Sequence, residues 1–259
     1  MPINFHASNN RNSYTDRQAD DSWKRFVSAL VEIPGKEVAD IACGGGIYSI
    51  AFAELGAAHV TGIDFSQEML EAACAFSRDY PTISFQQGNA LATGLPSASV
   101  DIILERALTH HLKVEELPIA FAEARRLLKP GGTLLIQNRT PQDCQLPGSA
   151  SNPRGYFFER FPRLLEIEIG RRPDNETIQG ALKQAGFTQI GEHHLLEHKE
   201  TFPDFEALAQ NIRSRKGRSI LHDLSDAELA ELITHMRERY EGHTGPIEET
   251  CWGTVWSAK

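Results

Sequence analysis

Three consecutive glycines, Gly44, Gly45 and Gly46, interrupt the stretch VADIACGGGIYSIAFAELG, which runs from Val38 to Gly56. The residues before them read as a buried strand and those after them as an apolar helix. Glycine allows positive φ and lets a backbone approach a ligand closely, at an entropic cost. A tight strand-to-helix connection is the plain reading. Three adjacent glycines exceed what a bare connection needs, and a helix N-terminus after a strand is where nucleotide-like ligands bind.

The rest of the chain repeats the strand–helix alternation that builds a parallel sheet with helices on both faces. A helix carrying Trp23, Phe26, Val27 and Leu30 on one face ends at Pro34-Gly35. KEVADI, AHVTGID, TISFQQ, VDIILE and TLLIQN read as five successive strands, and KPGG as the turn into the fifth. Ser66 is placed to cap a helix. After Thr140 the pattern breaks into a Pro/Gly/Ser-rich connection and the aromatic stretch YFFERFPRLLEIEIGRRP. Long loops in compact domains are more often functional than idle. A helix over NETIQGALKQ, a strand over TQIGEHHLLE, a helical insert from about Pro203 to Gly242 and a last strand over ETCWGTVWSAK complete the reading. In the insert, Ser225 and Glu228 have capping-box spacing.

Two cofactor motifs fail on the glycine turn. The dinucleotide fingerprint Gly-x-Gly-x-x-Gly would place Ala42, Gly44 and Ile47 at its glycines. Two of the three are wrong, and Ile47 puts a β-branched side chain where helix and strand must touch. No Gly-Lys-Ser/Thr follows, so a phosphate-binding Walker loop is excluded.

Asp40 followed by Ala42-Cys43-Gly44-Gly45-Gly46 resembles the first motif of class I S-adenosylmethionine-dependent methyltransferases, with Ala42 where that family usually has glycine. VTGIDFSQEML resembles the second motif, its Asp64 twenty residues after Gly44. GNALATGLP, VDIILERALTHHL, EARRLLKPGGTLLI and AGF resemble later family motifs, so the likeness spans roughly 38 to 190. A looser similarity extends to ubiquinone-biosynthesis C-methyltransferases. The resemblance implies a Rossmann-like seven-stranded α/β sheet, mostly parallel with the last strand antiparallel, and helical inserts covering the pocket. It implies a cap segment and helix at 1–36, and a domain over 37–259 with inserts at about 141–173 and 200–246.

The same resemblance implies S-adenosylmethionine as cofactor, bound by Asp40, Ala42, Cys43, Gly44, Gly46, Asp64, Phe65, Met69, Asn89, Ala90, Glu105 and Arg106. Asp64 would accept both ribose hydroxyls, as the equivalent acid does in dinucleotide enzymes. His110 and His111 have the side-chain chemistry to take a proton near neutral pH. With Arg106 they are the candidate catalytic residues; packing or capping of the next helix is the alternative for the histidine pair. Adjacent histidines point apart and no partner cluster is evident, so no metal is expected. Tyr14, Arg154, Tyr156, Phe157, Arg160 and Arg218 are the candidate substrate residues. For the aromatic ones, a satellite core is an equal reading.

The 259 residues suit one large domain or a domain with an appendage. A net charge of −9 argues against sequence-independent nucleic-acid binding, which needs Lys and Arg against phosphates. The four cysteines are scattered, and MPINFHASNN lacks the features of a signal peptide, so a reducing cytoplasmic setting and no membrane are expected. The function expected is methyl transfer to a small molecule. An RNA or protein methyltransferase and a non-catalytic cofactor-binding module are the alternatives. The oligomeric state is not legible.

Overall fold

A computed structural model describes residues 19–259. Apolar runs form the strands β1 (Glu37–Ile41), β2 (His59–Asp64), β3 (Ile83–Gln87), β4 (Val100–Arg106) and β5 (Leu128–Asn138). Two longer strands follow late in the chain, β6 (Ile190–Phe202) and β7 (Ile247–Ala258). They make one seven-stranded sheet in the order β3-β2-β1-β4-β5-β7-β6. The register is parallel from β3 through β5, with Val38 opposite both Val60 and Ile102. β7 runs antiparallel to β5, placing Ile136 opposite Trp256. Strand order reverses between β1 and β4, and in such sheets the crevice beyond the strand C-termini at that reversal takes the ligand.

The fifth strand begins earlier than its sequence suggests. KPGG is not a turn outside the sheet: β5 starts at Leu128, which pairs with Val100, while Thr133 pairs with Ile102. The four residues between them bulge opposite Asp101, whose carboxylate accepts from Lys129 Nζ at 2.9 Å.

The described residues form two compact units. The first comprises 19–138, 173–195 and 253–259. Its helices are α1 (Asp21–Leu30), α2 (Ile47–Glu54), α3 (Gln67–Phe76), α4 (Leu117–Leu127) and α8 (Asn175–Gln184). One face of its sheet buries Ile41, Ile103, Leu134 and Ile136 with Phe121 of α4 and Ile178 and Leu182 of α8. The other buries Val38, Val60, Ile102, Leu104 and Leu135 with Trp23 and Val27 of α1 and Phe52 of α2. Each such side chain contributes about 1.5–3 kcal/mol when fully buried. Alternation along β4 therefore decides which face a residue joins: Ile103 and Glu105 go one way, Ile102 and Leu104 the other. Trp256 Nε1 donates to Asn175 Oδ1 at 2.7 Å and ties β7 to α8.

The second unit comprises 139–172 and 196–252, and holds α5 (Pro141–Cys144), α6 (Pro153–Arg160), α7 (Pro162–Gly170), α9 (Phe205–Ser214) and α10 (Asp226–Arg239). Its own core gathers Phe157, Leu164, Leu208, Leu221, Leu232 and Met236. The capping box at the start of α10 forms: Ser225 Oγ accepts from Glu228 N at 3.3 Å, and Glu228 Oε2 accepts from Ser225 N at 2.9 Å. The aromatic stretch after Thr140 folds as α6 and α7. Among the described residues, no helix is long and apolar enough to cross a membrane.

Candidate active site

The glycine turn leaves β1 with a backbone of alternating hand. Ala42, Gly44 and Gly46 all have positive φ, at 61°, 52° and 78°. Such alternation turns successive N–H groups inward and makes a concavity suited to an anionic group. Gly46 begins α2, and a Cβ there would meet Phe85 at 3.0 Å and the Cβ of Ala73 at 3.2 Å. Glycine is thus required at 46 on two counts. Ala42 holds the same left-handed conformation with a Cβ present, which costs roughly 1–2 kcal/mol.

The carboxylate of Asp64, at the tip of β2, is fixed by two backbone donors. Oδ2 accepts from Gly44 N and Oδ1 from Ser66 N, both at 2.9 Å. Phe65 follows with 53% of its surface exposed, unusual for a phenylalanine beside a buried acid. Met69, on the first turn of α3, is buried, and its Cε would touch a Cβ placed on Gly44 at 3.4 Å. After β3, Asn89 Oδ1 accepts from Leu91 N at 2.9 Å, and Ala90 is buried.

Asp40 is buried at the end of β1, and Ser49 Oγ of α2 donates to its Oδ2 at 2.6 Å. Burial pushes its carboxyl up to about 6, against the lowering effect of the Ser49 bond. Arg106, which ends β4, stacks its guanidinium 4.2 Å above the ring of Tyr48. Tyr48 in turn meets Trp23 edge-on at 4.7 Å, and Trp23 Nε1 donates to Gln137 Oε1 at 2.8 Å. Burial raises the Cys43 thiol, so it stays protonated at neutral pH.

Glu105 is fully buried in β4, and neither carboxyl oxygen has a hydrogen-bond partner. Burial alone pushes it up to about 8. Its neighbours across the sheet are Ile41 and Ile136. At neutral pH it is chiefly a protonated acid.

Thr109–His111 form a single 3-10 turn beyond β4. Asn138 Nδ2 donates to His110 Nδ1 at 3.1 Å and also reaches Thr109 Oγ1. With Nδ1 accepting, the neutral His110 ring carries its proton on Nε2. His111 lies against it, ring centres 4.0 Å apart.

The first unit therefore brings Asp40, Cys43, Gly44, Asp64, Met69 and Arg106 into one neighbourhood. The expected substrate residues fall in the second unit, in separate environments. Arg154 donates to Glu168 Oε1 at 2.9 Å. Arg218 Nη1 donates to Glu249 Oε1 at 2.9 Å, Nη2 to its other oxygen, and the guanidinium lies 5.8 Å from the ring of Phe157, which is fully buried. Tyr156 meets Tyr240 edge-on at 5.8 Å. Arg160 pairs with Glu231 at the surface. Tyr14 lies outside the described residues. The sequence reading did not single out Glu168 or Arg139, and it takes the basic cluster RRPD at Arg171 as solvated surface; the structure instead buries Arg172 against Glu168, with Arg171 and Arg139 on the same carboxylate.

Residues 38–132 match the methyltransferase domain family. The chain is 29% identical over 178 residues to phosphoethanolamine N-methyltransferase 1 of Zea mays, covering 68% of this chain and 33% of that one. It is 38% identical over 125 residues to a ubiquinone biosynthesis O-methyltransferase of Xanthomonas campestris, covering 45% and 49%. The chain thus spans about a third to a half of the length of these relatives. Its fold resembles that of the YcgJ protein of Bacillus subtilis, with a TM-score of 0.59 at 19% identity over 91% of this chain and 97% of that one. The part of the chain over residues 38–132 is thus a methyltransferase domain, on a fold of the class I S-adenosylmethionine-dependent kind. S-adenosylmethionine is accordingly its cofactor, and the side-chain-free turn at Gly44, the anchored carboxylate of Asp64 and the exposed ring of Phe65 fit an adenosyl group.

Proposed function

We propose that this protein transfers the methyl group of S-adenosylmethionine to a small-molecule acceptor by in-line displacement. The observation that carries the reading is the Asp64–Gly44 bond, which joins the tip of β2 to the glycine turn beside the strand-order reversal. The names of the relatives support a small acceptor, one being named for phosphoethanolamine and the other for ubiquinone biosynthesis. The net charge of −9 supports it too, since a nucleic-acid substrate favours basic surface.

When bound, the cofactor supplies an activated methyl on a sulfonium. The chain's own contribution is to bind, orient and exclude water. Asp64 would accept the ribose hydroxyls, with Phe65 and Met69 flanking the adenine and Asn89 and Ala90 at its edge. The turn from Ala42 to Gly46 would hold the methionyl end through backbone N–H groups, with Asp40, Glu105 and Arg106 around it. Alignment of two reactants alone is worth about 7–11 kcal/mol of barrier, so no strong base is required. In its neutral form His110 offers an N–H rather than a base at Nε2, and it serves to position the acceptor; His111 backs it.

Calorimetry with S-adenosylmethionine, S-adenosylhomocysteine and NAD tests the cofactor half of the reading. The first two should bind and NAD should not. A metabolite screen that follows release of S-adenosylhomocysteine tests the rest. Turnover on RNA or protein, and on no small molecule, would overturn it.

A further inference from the structure

Residues 88–99, between β3 and β4, belong to no helix and to none of the seven strands, yet they include Asn89 and Ala90. A stretch of this kind must find partners for its buried backbone groups elsewhere. It finds them on α4, on two side chains one turn apart. Glu123 Oε1 accepts from the N–H of Thr93 at 2.8 Å and from its hydroxyl at 2.6 Å. Arg126 donates to both oxygens of the same carboxylate, Nε to Oε2 at 2.7 Å and Nη2 to Oε1 at 2.8 Å. Nη2 also donates to Leu95 O at 2.8 Å, and Nη1 to Ser97 Oγ at 2.9 Å. GNALATGLP and EARRLLKPGG, separate stretches of the sequence, are therefore bound into one structure within the first unit.

An ion pair at i,i+3 ordinarily braces only its own helix. This one reaches further. Thr93 keeps 1% of its surface exposed, and its carbonyl accepts from Gln86 Nε2 at 2.9 Å, so its N–H, hydroxyl and carbonyl are all engaged. The Arg126 bond, helped by the Thr93 donors, pushes the Glu123 carboxyl down to about 2, and it is an anion at neutral pH. A charged acceptor makes both Thr93 bonds stronger than neutral ones.

The constraint passes from Thr93 to the start of the loop. A Cβ on Gly88 would meet Thr93 O and Ile63 Cγ2, both at 2.8 Å, so Gly88 is wedged between the Thr93 backbone and β2. Gly88 N donates to Asp64 O at 3.0 Å. Asn89 comes next in the chain. Its carbonyl accepts from Ala92 N and its Oδ1 from Leu91 N, both at 2.9 Å. Glu123 thus holds Thr93, Thr93 packs on Gly88, and Gly88 sets where Asn89 and Ala90 begin.

We propose that Glu123, held by Arg126, is a positioning residue for the purine end of the cofactor and a determinant of base selectivity. It acts through Thr93 on the aim of Asn89 and Ala90. This role rests on the reading of those two residues as the adenine edge of the site. It adds a determinant on α4, a helix that supplies none of the expected cofactor contacts. Loosening the loop would loosen its grip on the base edge while the Asp64–Gly44 bond still shapes the ribose and methionyl end.

Calorimetry with two ligands tests this. S-adenosylhomocysteine carries the adenine amino group; S-inosylhomocysteine has an oxo group there and is otherwise built alike. The parent should prefer the adenine ligand, since a site that hydrogen-bonds one edge rejects the altered one. Glu123→Ala should weaken S-adenosylhomocysteine about tenfold, the scale of one hydrogen bond, and leave S-inosylhomocysteine nearly unchanged. Glu123→Gln keeps an acceptor facing Thr93 and should restore most of the preference. Should Glu123→Ala fail to fold, Thr93→Val removes the hydroxyl donor at nearly constant volume and should lower the preference about threefold. Arg125→Gln, on the same helix but stacked on Phe187, should match the parent. A parent that prefers adenine, with Glu123→Ala or Thr93→Val keeping that preference in full, would overturn the positioning role and leave the adenine site standing. Equal loss of both ligands would make Glu123 a stability residue and overturn it too. A parent indifferent to the base would instead overturn the adenine reading of Asn89, and the role of Glu123 with it.

Discussion

Asp64 Oδ2 accepts the backbone N–H of Gly44 at 2.9 Å, so the tip of β2 and the turn after β1 are held as one piece. The bond spans two neighbouring parallel strands, with Ile41 opposite Ile63 one residue before the Asp64 tip. Its second oxygen takes Ser66 N, which starts α3. The shape of the glycine turn and the aim of the carboxylate are therefore set by the same contact, and a change at one residue is felt at the other.

Replacing Asp64 tests that coupling. Asp64→Ala should weaken S-adenosylhomocysteine binding at least tenfold and cost about 1–3 kcal/mol of stability, since two buried N–H groups lose a charged acceptor. Asp64→Asn keeps one acceptor and should fall between alanine and the parent on both scales. Calorimetric titration and chemical denaturation read the two effects separately. Parental affinity in Asp64→Ala would remove the ribose role.

The turn makes opposite demands at two of its positions. Gly46→Ala should destabilise by about 1–3 kcal/mol, because the new Cβ meets Phe85 and Ala73 while the backbone stays left-handed. Ala42→Gly should stabilise by about 0.5 kcal/mol, relief of the left-handed strain outweighing the entropy given to the unfolded chain. Urea unfolding of the two variants checks the contrast in sign.

Much of this region was legible before any coordinates. The glycines, the acid at 64 and the Ser66 cap are short-range signals, and period-two burial marks the strands without reference to partners. The start of β5 was not legible, because KPGG has the chemistry of a turn and only pairing of Leu128 with Val100 brings it into the sheet. Glu105 was read as a cofactor residue from its place after a strand; that it faces Ile41 and Ile136 follows from register between strands distant in sequence. The arginines on Glu168 come from three elements or their edges, between 139 and 172, and no local spacing announces that they converge.

The isolation of Glu105 has a consequence for pH. Its folded-state value is raised from 4.5 to about 8, so between those limits the folded chain holds a proton that the unfolded chain releases. Stability from this group is fully present below pH 4.5, falls as pH rises, and levels off above 8. Its share of the slope approaches about 1.4 kcal/mol per pH unit inside the window. Glu105→Gln should flatten that limb and be more stable than the parent at pH 9. Denaturation midpoints at pH 5, 7 and 9 decide it; an unchanged slope would mean that Glu105 is compensated.

Asn138 sets which nitrogen of His110 bears the proton. With Nδ2 donating to Nδ1, nitrogen NMR of the neutral ring should report the Nε2–H tautomer. Asn138→Asp supplies an acceptor in the same place and should switch the ring to Nδ1–H. If His110 positions the acceptor through Nε2–H, that switch should lower kcat/KM by roughly 10–100-fold, the scale of one lost charged or buried hydrogen bond. A faster Asn138→Asp enzyme would instead make Nε2 a base.

Arg218 was expected to face a substrate, yet the structure gives it a bidentate contact with Glu249, both side chains nearly closed to solvent. Arg218 Nε also donates to Asn211 Oδ1 at 2.9 Å, which ties α9 to β7 through one guanidinium. Breaking such a pair from one side strands a buried charge, so Arg218→Met alone should cost about 3–5 kcal/mol. Removing both charges, in Arg218→Met with Glu249→Leu, should recover most of that loss, because the surrounding core of Phe157 and Leu221 accepts apolar volume. A double-mutant cycle by urea denaturation measures the coupling. If Arg218 instead holds a substrate, the double variant should regain stability while losing affinity for that acceptor, and the two readouts separate the scaffold from the site.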